Sequence, residues 1–426
     1  MIAMAPEASA PSVGRRQVAA AVVGNALEFY DFITYATFAV QIGRAFFPGH
    51  SEFFKLMGSL VTFGVGFATR PLGAIVLGRL GDRVGRRPAM TLSFALMGVG
   101  LVGLVLTPGY ASIGPLAPIL VVGFRLIQGF ALGGEVGPTT AFLIEAAPPE
   151  RRGLYGGWQI GSQGLATFAG ALVGMVLTLG LGAGALEAWG WRLALGLGAV
   201  ILPVGYLLRR NLVETLALPD HAAPSQPAAE GLAGHGALLT LALGLIGAAT
   251  IATYVFNFMT TYAATTLKLP TSISLAASVV VGAANFAGAM AGGALSDRLG
   301  RRWLLIWPRL VFVVVAVPAF QLMVTRGDAA TLLTATAVLV FLNSASSSAA
   351  LTAVTESTHK AVRSIAVAAV YATAVAVLGG STQPIIAALI HATGDPLAPA
   401  WYMAAASVVG LLAGVLMRES APSRAR

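Results

Sequence analysis

Apolar runs of about 20 residues recur along the whole of this 426-residue chain, broken by charged or Gly/Pro-rich punctuation. A helix of that length, at 1.5 Å per residue, covers the roughly 30 Å of a bilayer's hydrocarbon core. The runs predict helices near 18–43, 56–78, 88–107, 116–146, 154–180, 190–208, 237–264, 272–295, 303–325, 330–354, 362–390 and 398–417. Inside hydrocarbon every backbone polar group has to be satisfied internally, so such a chain is expected to be an all-α integral membrane protein. Composition agrees: 57% of residues are hydrophobic and 10% charged, against about 25% charged in a soluble domain. Segment 18–43 is too long for a cleaved signal and carries Glu28 and Asp31, so it reads as a retained helix.

The formal charge of +9 does not point to nucleic acid once the bases are placed on this frame. With both ends on the cytoplasmic side, 18 of the 26 Lys and Arg fall in inside segments, five outside, and three (Arg70, Arg125, Arg309) within helices. That bias is the positive-inside rule, and it predicts a multi-pass membrane protein with both termini cytoplasmic and the lipid bilayer as its principal surroundings. There is no cysteine, the five histidines lack ligand spacing, and no phosphate-binding, nucleophile-elbow or zinc-protease pattern occurs. The expectation is therefore no enzyme, no metal and no cofactor, and no ATP-driven activity of this chain alone.

The chain also repeats itself. Residues 78–87 read GRLGDRVGRR and residues 293–302 read GALSDRLGRR, 215 residues apart. Glu145 and Arg152 recur as Glu356 and Arg363, both 211 residues on. The repeat divides the chain into a bundle at 1–208, a Pro-, Ala- and charge-rich cytoplasmic linker at 209–236, and a second bundle at 237–426, each with six helices. Duplicated transporters of this kind bind their cargo between the halves, near mid-membrane.

The two GxLxDRxGRR-like loops and the Arg125-x-x-Gln128-Gly129 segment resemble the major facilitator superfamily. Residues 24–32 (GNALEFYDF), 70–78 (RPLGAIVLG), 125–135 (RLIQGFALGGE) and 394–403 (GDPLAPAWYM) resemble its metabolite–proton symporters. The segments WQIGSQ at 158–163, SEFFKLM at 51–57 and RRNLVET at 209–215 are most similar to bacterial citrate and tricarballylate carriers. The resemblance implies a twelve-helix major-facilitator fold, proton-coupled uptake of citrate or a related tricarboxylate by alternating access, and a single chain as the working unit. Open beside it stand a same-fold symporter for another organic acid or zwitterion, such as a dicarboxylate, a shikimate-like acid or proline/betaine, and a non-transporting membrane receptor.

Ionisable groups at mid-membrane cost roughly 2.5–3.5 kcal/mol each, so their presence suggests function. Glu28 lies about 15 Å along the first helix and Arg125 about 14 Å along the antiparallel fourth, which puts them at similar depth. Gly24, Glu28, Asp31 and Tyr35 form one stripe by spacing. Arg125 is read either as a bidentate clamp on a substrate carboxylate or as a partner of Glu28, Asp31 or Glu135 in coupling. Those three acids are the proton-coupling candidates. Oxygen ligands such as Asp31 and Asn25 suit either ion, so sodium stays open beside the proton. Asn25, Gln128, Gln159, Ser162, Gln163, Tyr254 and Asn257 are the neutral candidates for substrate binding, with interhelical hydrogen bonding the alternative for each. Four pairs, Asp82–Arg86, Glu145–Arg152, Asp297–Arg301 and Glu356–Arg363, are read as cytoplasmic latches that hold one state of the alternating cycle.

Overall fold

The structure is a computed structural model, and it describes residues 15–84, 86–133, 140, 143, 144, 146–199, 203, 236–358 and 363–422. The described chain is almost wholly helical. The helices that position the site are α1 (Arg15–Thr37), α2 (Ala39–Phe46), α3 (Glu52–Ala68), α4 (Arg70–Val84), α5 (Arg86–Leu106), the single turn α6 (Tyr110–Ile113), α7 (Leu116–Leu132) and α8 (Arg152–Leu181). Residues 191–199 form α9. After the linker come α10 (Gly236–Asn257), α11 (Met259–Thr265), α12 (Thr271–Leu299), α13 (Arg301–Arg326), α14 (Ala329–Ser357), α15 (Arg363–Thr373), α16 (Gly380–Thr393) and α17 (Ala398–Leu416).

Among the described residues eight helices are long and apolar enough to cross a bilayer, and Thr91–Leu106 and Leu116–Leu132 are shorter apolar helices beside them. The burial pattern is that of a bundle in lipid. Leu106, Leu179, Val314 and Leu416 point outward, while Asn25, Glu28, Asp31, Arg125 and Gln128 are buried inside. Polar side chains face the interior because a helix in hydrocarbon can satisfy them only against other helices.

Several predicted helices prove to be two. The first breaks at Phe38 and the seventh at Phe258, whose φ/ψ of −85°/−5° interrupts the run between α10 and α11. The second bends at Thr69, just before Pro71, which has no N–H to continue the ladder. The eleventh contains a π-type stretch, Ala374–Gly379, ahead of Pro384, which cannot donate to the Gly380 carbonyl. Hydropathy averages over such breaks, so the sequence reads them as continuous. The fourth helix, expected to run to 146, is described to Leu132, with Thr140, Leu143 and Ile144 helical beyond it. Of the expected linker 209–236, only Gly236 lies within the described residues, and it opens α10.

Glycine seams set the close approaches. α8 and α12 make the largest helix–helix contact and join the two halves along their length. A Cβ on Gly157 would meet the Ala289 carbonyl oxygen at 2.5 Å, and one on Gly164 the Gly282 carbonyl oxygen at 2.8 Å. Within the first half, a Cβ on Gly129 of α7 would land on the Gly66 carbonyl of α3. Small residues at such crossings let backbones pack without a side chain between them. Gly129→Ala is therefore expected to cost about 1–3 kcal/mol through overpacking, read as a lower melting temperature in detergent. Gly98→Ala, where a Cβ meets nothing within 4 Å, serves as its control. An equal effect at both positions would remove the seam as the cause.

Candidate functional site

Four ionisable groups lie buried together in the first half. Glu28 and Asp31 are less than one turn apart on α1, Arg70 opens α4, and Arg125 projects from α7 with no exposed surface. Arg125 donates from Nη1 to the Gln128 Oε1 at 2.7 Å and stands 3.9 Å from the Asp31 Oδ2. Its guanidinium carbon lies over the rings of Phe32 and Tyr35, 4.3 and 4.4 Å from their centroids. Arg70 lies over the Phe32 ring at 4.8 Å and the Phe67 ring at 4.4 Å, and Glu28 is within Coulombic reach of it. Two acids and two bases in one apolar nest sum to zero charge, which lowers the cost of burying any of them. The aromatic rings supply the remaining favourable contacts for the two guanidinium planes.

A narrow cavity of about 60 Å³ lies between the halves, room for a few waters. Phe29, Phe32, Gln163, Tyr254, Asn257 and Tyr371 are on its wall. Gln163 donates to the Tyr371 hydroxyl at 3.4 Å, a direct bridge from one half to the other. Three expected substrate residues are thus on the cavity wall: Gln163, Tyr254 and Asn257. Five are not on it. Asn25 donates to the Ser162 hydroxyl at 2.7 Å and to the Gln159 carbonyl at 3.4 Å, while Gln159 returns a bond to the Asn25 Oδ1. These three clasp α1 to α8 behind the wall. Arg125 lies over the far side of Phe32 with Gln128 bonded to it, and neither is on the cavity wall. Glu135 falls outside the described residues.

The sequence reading missed the hydroxyls of the wall, Thr250, Thr253, Thr167 and Ser347. A signal was available: Thr250, Thr253, Tyr254 and Asn257 recur at i, i+3, i+4, i+7 and make one polar face on an otherwise apolar helix.

At the end of the bundle where the arginine-rich loops lie, the Asp297 carboxylate accepts from the Gly153 and Leu154 amides at 2.8 and 2.9 Å. A carboxylate of the second half thereby caps the exposed N–H groups that open α8 in the first. Arg301 reaches back across Gly300, whose φ of +97° only glycine adopts freely, to hold Asp297 at 2.7 Å. The same guanidinium grips Glu356 through two bonds of 3.1 Å. Arg301 reaches Glu356 because the end of α14 lies beside the start of α13, a contact the sequence did not predict; the side chain of Arg363, the expected partner of Glu356, is outside the described residues. Glu145 and the side chains of Asp82, Arg86 and Arg363 fall outside the described residues, so the pairing of Arg152 with Glu145 does too. At the opposite end of the bundle the Phe53 ring stacks on His391 at 3.8 Å, a further contact between the halves.

The segment after α17 joins this network. Glu419 accepts from the amides of Arg301, Arg302, Ser420 and Ala421 at 2.8–3.1 Å, and the Ser420 hydroxyl donates to Glu356 at 2.9 Å. Burial opposes ionisation of Glu419, but the four N–H donors outweigh it and hold its carboxyl below the usual range. A depressed folded-state value contributes stability that is complete above the ordinary carboxylate range, near 4.3, and is lost as pH falls through the folded value. Amide exchange at Arg301 and Arg302 is expected to accelerate selectively in that acid window. Glu419→Gln should abolish the pH dependence, and its persistence in that variant would assign it elsewhere.

The sequence model described as "Major Facilitator Superfamily" matches residues 22–380. The chain belongs to the Major Facilitator Superfamily. This facilitator is 36% identical to a "Citrate-proton symporter" of Salmonella typhi over 92% of each chain. It is 38% identical to a "Citrate-proton symporter" of Klebsiella pneumoniae over 93% of this chain and 90% of that one. The xylose transporter XylE of E. coli superposes on it with a TM-score of 0.70 at 16% identity, over 95% of this chain and 98% of that one. The likeness to XylE establishes the shared twelve-helix fold.

Proposed function

We propose that this chain is a secondary active transporter that takes up citrate or a related tricarboxylate together with protons, by alternating access, in a bacterial cytoplasmic membrane. The observation that carries the reading is 36–38% identity, over nine-tenths of the chain, to two proteins named citrate–proton symporters. The basic end, with both termini, faces the cytoplasm, and a single chain is the working unit with bundles at 1–208 and 237–426.

Gln163, Tyr254, Asn257 and Tyr371 contact the substrate in the widened cavity. Asp31 carries the coupled proton, with Glu28 and Glu135 as further acids of the same relay. Arg125 couples rather than clamps, since the wall residue Phe32 stands between it and the cavity. Ionised Asp31 draws on Arg125; once protonated it releases the guanidinium, and the change reaches the substrate through Phe32, which both arginines touch. Asn25, Gln159, Ser162 and Gln128 hold these elements in register. The Asp297–Arg301–Glu356 latch and its expected counterparts Asp82, Arg86, Glu145, Arg152 and Arg363 close the cytoplasmic end while the cavity opens outward.

Uptake of radiolabelled citrate into proteoliposomes tests this, under an inward proton gradient, an inward sodium gradient or neither. Proton-stimulated uptake blocked by tricarballylate and not by proline supports the reading. Stimulation by sodium alone replaces the coupling ion. Absence of citrate flux with competition by a different compound discards the tricarboxylate.

A further inference from the structure

Arg309 is the buried arginine that the transport cycle above does not use. It lies within α13, 2% exposed, and no carboxylate stands within salt-bridge distance of it among the described residues. Its Nη1 donates to the Asn343 Oδ1 at 2.8 Å. Asn343, on α14, donates in turn from Nδ2 to the Thr253 Oγ1 at 3.2 Å. Thr253 is on the cavity wall. Two hydrogen bonds therefore separate a permanently charged group from the space between the halves.

The direction of this chain is forced. A guanidinium has five donors and no acceptor, so the amide end facing Arg309 has to be the oxygen. The other end of Asn343 is then its NH₂ group, which can only donate. Thr253 must use one lone pair to accept that bond, so Asn343 makes no claim on its hydrogen; of the hydrogen and the second lone pair that remain, only the hydrogen can bond a carboxylate, which has no proton to give. That hydrogen rests on the Ala249 carbonyl at 2.9 Å, a local bond within α10 that it exchanges at little cost by rotating its hydroxyl. Without Arg309 the amide could flip, and Thr253 could present either a donor or an acceptor to the cavity.

We propose that Arg309 is a positioning residue for substrate specificity: through Asn343 it fixes Thr253 as a hydrogen-bond donor to a carboxylate of the cargo, on the second-half wall of the cavity. The proposal rests on the carboxylate reading above. It gives the second half an anion-directed contact, although that half places no charged side chain on the wall among the described residues. The charge stays behind the wall, where it biases the site toward acceptor groups without trapping the anion in an ion pair.

Asn343→Asp inverts the chain. The carboxylate pairs with Arg309 but offers only acceptors to Thr253, whose hydrogen then turns away from the cavity. Citrate uptake by proteoliposomes is measured for the wild type, Asn343→Asp, Thr253→Val, their combination, and Thr253→Ser. The expected result is a KM raised about tenfold in both single variants, the scale of one hydrogen bond to a charged group, with kcat changed far less. The double variant should be no worse than either single, and Thr253→Ser should keep the wild-type KM. A role in packing alone would instead lower the melting temperature and leave KM unchanged. An unchanged KM in Thr253→Val, or effects that add in the double variant, overturns the proposal even if Asn343→Asp fails to fold. A wild type with saturable citrate uptake but insensitive variants defeats this inference alone. A wild type that carries no carboxylate defeats the functional reading and this inference with it.

Discussion

Replacing Arg125 with alanine is expected to abolish gradient-driven uptake. The guanidinium has no exposed surface and serves several groups at once: it bonds Gln128, faces Asp31 at 3.9 Å, and lies over Phe32 and Tyr35. Without it Asp31 is left in an apolar nest with no countercharge on that side. Removing one member of a buried pair costs about 3–5 kcal/mol, and even 3 kcal/mol in a rate-limiting barrier is roughly a hundredfold in rate. Arg125→Lys is expected to recover little, since an ammonium is a compact point charge without a planar face to stack between two rings. Asp31→Asn keeps the shape and removes the proton site. It should still exchange labelled for unlabelled citrate at equal concentrations yet fail to accumulate it against a gradient. Normal accumulation by Asp31→Asn would move the coupled proton to another acid, and unchanged uptake by Arg125→Ala would take that arginine out of the cycle.

Arg301→Ala is expected to open the basic end. Arg301 joins two carboxylates whose side chains are 8% and 5% exposed, and one of them, Asp297, caps α8 across the boundary between the halves. Its loss leaves Asp297 and Glu356 without the cation between them, at a cost of about 3–5 kcal/mol. That cost falls on the latched state alone, so the population shifts towards the state in which the latch is apart. The chain has no cysteine, so a single Met290→Cys on α12 reports without background. Labelling by a membrane-impermeant maleimide from the basic side should rise sharply in the Arg301→Ala background, with a lower melting temperature. Equal labelling with and without Arg301 would reduce the latch to a surface ion pair.

Most of the scaffold is legible in the chain itself. Hydropathy locates the spans because each helix has to cross the same thickness of hydrocarbon, and this requirement acts on about 20 consecutive residues at a time. The doubled loop motif exposes the duplication, and the family model over residues 22–380 agrees with it. The buried charges could also be picked out, since Glu28, Asp31, Arg70, Arg125 and Arg309 each interrupt an apolar run. Spacing was enough for Asp297 and Arg301, which sit four residues apart across a single turn at Gly300.

What the sequence could not assign is which side chains meet across helices. Helical spacing puts Asn25, Arg125, Gln159 and Ser162 on inward faces, but whether a residue reaches the cavity or lies behind its wall depends on a few tens of degrees of helix rotation. Arg125 is behind Phe32, Asn25 is spent on Ser162, and Glu356 is gripped by Arg301 of the neighbouring helix. Those rotations are set by the glycine seams between helices, Gly129 against Gly66 and Gly164 against Gly282, contacts between residues far apart in the chain. The sequence by itself determined a membrane-spanning duplicated bundle with charges in its core, because hydrophobicity and period are local. The tertiary structure alone decided which charges pair and which polar groups face the cargo, because those depend on how neighbouring helices turn against one another.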